Sequence, residues 1–93
     1  MRTLSEKEIS DKLGKFVDWK HENNCITKTF TFIDFSKNFS FMTRVAMLAE
    51  KHNHHPDWCG GHRNLTIQLS THDAGGVTEL DIKLAFEIEK LLN

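Results

Sequence analysis

Between Ser36 and Pro56 the apolar residues Phe41, Met42, Val45, Leu48 and Ala49 recur at intervals of three and four. That spacing is the stripe which one buried face of a long α-helix presents. Asp34 or Ser36 can cap its start, because either side chain can accept a hydrogen bond from the first turn. Its end is set by Pro56, the only proline in the chain. Proline cannot continue a helix, and it pushes the preceding His55 out of the helical region. The chain is therefore committed to a helical spine that ends in a corner, and His54 and His55 stand on that corner. With 93 residues, everything else must pack on this spine, so residues 1–93 form a single domain.

The flanks supply the remaining elements. Ser5 and Glu8 have capping-box spacing, and Leu4 and Ile9 sit where a hydrophobic staple closes, which predicts a first helix running to about Lys15. Two extended stretches follow around the turn signal Asn23-Asn24. The second runs from Thr27 to Phe35, with Thr29, Thr31 and Ile33 alternating with Phe30 and Phe32. Past the corner, Asp57 to Gly61 reads as a short strand. Leu65, Ile67 and Leu69 alternate with Thr66, Gln68 and Ser70 in a half-buried strand closed by His72, which should leave the sheet on its non-core side. Gly75-Gly76 makes a turn, and Thr78 with Asp81 forms a second capping box, with Val77 and Ile82 as its staple. The last helix runs to the C-terminus. Its apolar residues cover more than one stripe, which predicts burial on two sides, one of them against another subunit. The order is αββαββα, an α+β fold with a four-stranded antiparallel sheet covered by helices on one face.

Composition narrows the function classes. Formal net charge is −1, with 12 Lys and Arg scattered among 13 Asp and Glu, so no basic stripe exists to follow a phosphate backbone and direct nucleic-acid binding is not expected. The N-terminus turns charged too soon for a signal peptide, and no apolar run reaches the roughly 18 residues of a membrane span. A soluble cytoplasmic protein is expected. A chain this short buries a modest fraction of its surface, which favours a homodimer or homotetramer. Cys25 and Cys59 are isolated from each other and from any CxxC pattern, so they are expected to be free thiols.

The chemistry concentrates in imidazole. Three of the six histidines, His52, His54 and His55, fall within four positions. Three readings fit: side chains meeting the dipole at a helix end, a metal site, or acid–base groups working near neutral pH. A metal could use His54, His55 and His72, but no cysteine pair or His-x3-His pattern completes a structural zinc site. Acid–base work asks only that imidazoles surround a reacting group within hydrogen-bond reach. Glu50 lies four residues before His54, so it would pair with that imidazole if the helix persisted so far. For His21 and His62, which no motif supports, a solvated surface position is the expectation.

The segment Ala49-Glu50-Lys51-His52-Asn53-His54-His55-Pro56-Asp57-Trp58 and the later Ser70-Thr71-His72-Asp73-Ala74-Gly75-Gly76-Val77-Thr78 closely resemble the two signature regions of the pterin-4a-carbinolamine dehydratases. Phe39 to Ala46 looks like the start of that family's central helix, and the resemblance covers most of the chain. It implies the αββαββα fold, a dimer or tetramer, and dehydration of 4a-hydroxytetrahydropterin to quinonoid dihydropterin in tetrahydrobiopterin recycling, with no metal or organic cofactor. It further implies that His54, His55, His72 and Glu50 are catalytic, and that Asn53, His54, His55, Ser70, Thr71, His72 and Asp73 bind the pterin. Trp19 and Trp58 are candidates for a flat apolar wall or for the core. His62 stands where the family commonly has an aromatic residue, after Gly60-Gly61. Asp81 matches the family's acidic position, yet its capping-box spacing explains it without catalysis. An animal member also binds the dimerisation helices of a homeodomain transcription factor, so a non-enzymatic coactivator with access to the nucleus is the alternative.

Overall fold

The computed structural model describes residues 1–14, 16 and 18–92. Ser5 opens helix α1 (Glu6–Leu13) with the expected reciprocal capping box to Glu8, and Leu4 and Ile9 are both buried. The helix closes at Leu13 with Gly14 as its cap; the expected end at Lys15 lies outside the described residues. Strands β1 (Lys20–Glu22) and β2 (Cys25–Thr31) form a hairpin. Its two-residue turn places Asn23 and Asn24 at φ 52° and 63°, the left-handed pair that matches the twist of a tight hairpin. Asn tolerates that region better than most residues.

β2 is shorter than the alternation to Phe35 suggested. Asp34 accepts a 2.8 Å hydrogen bond from the Lys37 N–H and acts as the N-cap of α2 (Phe35–His52), so Phe35 is already helical. The cap bond captures the chain before the strand pattern is exhausted. Strands β3 (Asp57–Gly60) and β4 (Asn64–Leu69) follow, then a 3-10 turn (His72–Ala74) and helix α3 (Glu79–Lys90).

The sheet is antiparallel throughout, in the order β1-β2-β4-β3. Ile26, Phe30, Leu65, Ile67 and Leu69 point to its buried face, while Thr29, Thr31, Asn64 and Gln68 line an exposed one. All three helices belong to the buried side: α2 packs on β4, and α3 lies against α1 and α2. No described helix is long and apolar enough to cross a membrane.

Neighbours in the chain meet α3 on more than one side. Ile82, Leu84, Ala85 and Ile88 are buried, and Phe86 meets Phe16 edge to face at 4.7 Å. Glu89 reaches back to the sheet, taking a 2.8 Å bond from Lys28 Nζ and a 3.3 Å bond from Trp19 Nε1. The second side is thus covered in part by neighbours in the same chain, while Phe86 keeps an exposed face. Exposed apolar side chains lie on α2 as well, at Phe35, Phe39 and Met47.

Asn38 occupies the α2 stripe three residues before Phe41 and is fully buried. Its amide donates to the carbonyls of Gly61 and Asn64, at 3.1 and 3.2 Å, tying the β3–β4 turn to the helix. A polar residue on an apolar stripe is the mark of such a clamp. Asn38→Ala removes both bonds from a fully buried position, leaving the Asn64 carbonyl only the Gly61 N–H, and is expected to cost about 1–3 kcal/mol, read as a lower urea midpoint with unchanged slope.

Candidate active site

The corner after α2 is made by Asn53, which adopts the left-handed conformation at φ 49°. The His54 N–H then turns back to the Ala49 carbonyl at 3.0 Å, closing the helix as a Schellman-type cap. This reversal ends the helix three residues before Pro56 forbids it. It also separates Glu50 from His54, so the expected pairing of those two residues does not form.

Each histidine of the pair takes a different carboxylate. His54 turns inward, and its side chain is only 10% exposed, with Nε2 2.5 Å from Asp81 Oδ1. His55 turns outward and is 56% exposed, with Nε2 2.6 Å from Glu50 Oε1. Since Glu50 is itself 78% exposed, its hold on His55 is a solvated contact, whereas that of Asp81 on His54 is shielded from water.

Asp81 makes the expected cap and more besides. Fully buried at the start of α3, it accepts the Thr78 N–H at 2.9 Å on Oδ2. The same oxygen takes the Thr71 hydroxyl at 2.8 Å, while Oδ1 meets His54. A capping carboxylate and the partner of a buried imidazole are one group. The capping-box spacing revealed the first job; the second joins residues 27 positions apart, which no local pattern records.

His72 does not close β4. The strand stops at Leu69, Thr71 and Gly76 form an isolated bridge, and His72 begins the 3-10 turn. Gly75 closes that turn at φ 78°, its N–H bonded to the His72 carbonyl at 3.1 Å, a conformation that favours glycine. The placement of His72 is therefore set by the turn and not by strand alternation.

These pieces surround one cavity of about 310 Å³. Asn53, His54 and His55 line it from the corner, and Ser70, Thr71, His72 and Asp73 from the end of β4 and the turn. Glu50 stands outside the lining, behind His55. Leu80, which the sequence reading missed, adds an apolar side chain from the first turn of α3. In the sequence it reads as one more apolar residue of the last helix; the structure leaves it half-exposed, off the buried stripe of α3. The volume is at the small end for ligand pockets.

Other features fall outside this cavity. Trp19 belongs to the core, Trp58 packs against it, and His62 is exposed in the β3–β4 turn. A larger cleft of about 740 Å³ lies between α1 and β1, where Glu6, Lys7, Ser10, Asp18 and His21 stand beside the apolar Ile9, Leu13 and Trp19; among its described lining residues it holds one histidine, against three in the smaller cavity. The Cys25 thiol donates to the Glu22 carbonyl, and burial pushes its pKa up, which disfavours a nucleophilic thiolate. Among the described residues, no group of three or more His, Cys, Asp or Glu side chains is arranged to hold a metal ion.

Two or three imidazoles around a small cavity, one with its tautomer held by a buried carboxylate, can deliver one proton and remove another. Comparison with known proteins identifies the family. The family model described as pterin 4 alpha carbinolamine dehydratase matches residues 2–91. A provisionally named pterin-4-alpha-carbinolamine dehydratase of Sulfurisphaera tokodaii is 46% identical over 92 residues, covering 99% of each chain. One from Christiangramia forsetii is 49% identical, covering 99% of this chain and 95% of its own. A crystal structure from Brucella melitensis, described as a transcriptional coactivator/pterin dehydratase, superposes with a TM-score of 0.93 at 37% identity, over 99% of this chain and all of the other.

Proposed function

The chain belongs to the pterin 4 alpha carbinolamine dehydratase family, and on that premise we propose that it dehydrates 4a-hydroxytetrahydropterin to quinonoid dihydropterin in tetrahydrobiopterin recycling. The observation that carries this reading is the convergence of His54, His55 and His72 on one cavity, with His54 anchored on the buried Asp81.

In the reaction the C4a–O bond breaks and its electron pair leaves with the oxygen, which must gain a proton to depart as water. The N5–H proton is removed, and its electron pair becomes the second bond of C4a=N5. One group gives a proton and another takes one, each step accelerated typically about 10²- to 10⁴-fold by a positioned side chain. His54 donates Nε2–H to Asp81, which leaves Nδ1 as an acceptor for the N5 proton. His72 engages no carboxylate among the described residues and serves as the acid for the leaving hydroxyl. His55, loosely held by Glu50, positions the ring. Asn53, Ser70 and Asp73 supply polar contacts to the pterin edge, and Leu80 an apolar one to its face. No metal or organic cofactor takes part.

A homodimer or homotetramer acting in the cytoplasm completes the proposal, with the exposed Phe35, Phe39 and Met47 of α2 as its natural contact surface. The same surface supports a second reading, a partner-binding coactivator, which the description of the Brucella relative makes specific.

Titration with a stable dihydropterin, followed by histidine ring resonances, tests the site. The resonances of His54, His55 and His72 are expected to shift, and those of His21 and His62 to stay. A response confined to His21 would move the site to the cleft beside α1.

A further inference from the structure

Thr71 lines the cavity and was expected to contact the pterin, but its hydroxyl proton is already committed. A threonine hydroxyl has one proton and two lone pairs. That proton goes to Asp81 Oδ2 at 2.8 Å. Thr71 Oγ1 is also 2.8 Å from Thr78 Oγ1, so in that contact Thr78 must be the donor. Thr78 is able to donate, because its own oxygen accepts the Leu80 N–H at 3.2 Å. The protons therefore run in one direction, from Thr78 to Thr71 to Asp81, and His54 Nε2 meets the other oxygen of the same carboxylate.

The backbone of Thr71 performs a separate task. Its N–H donates to the Gly76 carbonyl at 2.8 Å, and its carbonyl accepts the N–H groups of Ala74 and Gly75, both at 3.0 Å. These bonds build the turn that carries His72. One residue thus holds the His72 turn with its main chain and, with its side chain, the carboxylate that orients His54.

We propose that Thr71 is a positioning residue that couples the two halves of the site, acting through Asp81 on the tautomer of His54 rather than by binding substrate. The proposal rests on the dehydratase reading for its kinetic consequence alone. Without the Thr71 hydroxyl, Asp81 Oδ2 keeps only the Thr78 N–H, so the carboxylate is held less firmly and the acceptor that fixes His54 Nε2 is loosened.

The test compares Thr71→Val and Thr71→Ser with wild type. Valine keeps the size and suits the extended backbone at this position, φ −108° and ψ 101°; serine keeps the hydroxyl. In ¹⁵N spectra without pterin, neutral His54 is expected to be the Nε2–H tautomer in wild type, a mixture in Thr71→Val, and restored in Thr71→Ser. In dehydration kinetics, Thr71→Val is expected to lower kcat about tenfold, the factor one hydrogen bond carries, with KM within about twofold and recovery in Thr71→Ser. A raised KM with kcat and tautomer unchanged would make Thr71 a substrate contact and overturn the proposal. The spectra need no substrate, so they decide the coupling even if the dehydratase reading fails. Should Thr71→Val not fold, the wild-type Thr71 hydroxyl proton decides it: slow solvent exchange supports the network, and exchange at the rate of a free hydroxyl refutes it.

Discussion

His72→Ala lowers the dehydration rate by about 10²- to 10⁴-fold while leaving unfolding stability within about 0.5 kcal/mol of wild type. The separation of the two effects follows from where His72 sits. It is exposed on the 3-10 turn, and that turn is held by the main chain of Thr71, Gly75 and Gly76. Removing the imidazole strips the cavity of its proposed acid and disturbs no buried contact. Kinetics and urea unfolding on the same sample check both halves. A variant as active as wild type would remove His72 from the mechanism, and a variant that loses stability would mean that His72 is structural.

Asp81→Ala has the opposite profile, with both quantities falling together. Three donors converge on this fully buried carboxylate: His54 Nε2, the Thr71 hydroxyl and the Thr78 N–H. Its loss breaks the reciprocal half of the α3 capping box and strands them, at an expected cost of about 3–5 kcal/mol. Asp81→Asn is more informative. The amide oxygen can still accept from Thr71 and Thr78, but the NH₂ then faces His54 Nε2 and requires an acceptor there. His54 is driven to the Nδ1–H tautomer, with its lone pair turned away from the cavity. Asp81→Asn should therefore keep most of the stability lost in the alanine variant, yet lose at least about 10²-fold in kcat. Retention of full activity by Asp81→Asn would break the link between Asp81 and the tautomer of His54.

The elements legible in the chain were those whose cause is local. Ser5 with Glu8 and Thr78 with Asp81 announce helix starts, because a capping box is complete within four residues. The α2 stripe and the Leu65, Ile67, Leu69 alternation report burial directly, since each is the period of its own backbone. Boundaries were missed where two local signals competed. Phe32 and Ile33 continue a strand pattern, but the Asp34 cap takes the chain into α2. The 3-10 turn claims His72 for the same reason, since Gly75 favours a tight reversal over one more strand residue.

In the candidate site, the residues were legible and their partners were not. Helical spacing matched Glu50 with His54, and the left-handed Asn53 rearranged that pairing, giving Glu50 to His55 and His54 to Asp81. A single residue with positive φ changes which side chains share a face, and Asn marks such a position without specifying it. Asn38 was passed over because it is polar on a buried stripe, and Leu80 because it reads as one more apolar residue of the last helix although it stands off the buried stripe. Such departures are where a fold uses a residue for something other than its core.

The central claim is that this chain removes water from a 4a-hydroxytetrahydropterin, and the most direct measurement is the decay of that species, freshly generated and followed by ultraviolet absorbance with and without protein. Decay that accelerates in proportion to protein concentration is the result predicted. Decay at the spontaneous rate at every concentration, from protein that is folded, would contradict the account and leave the apolar face of α2 as the starting point for another.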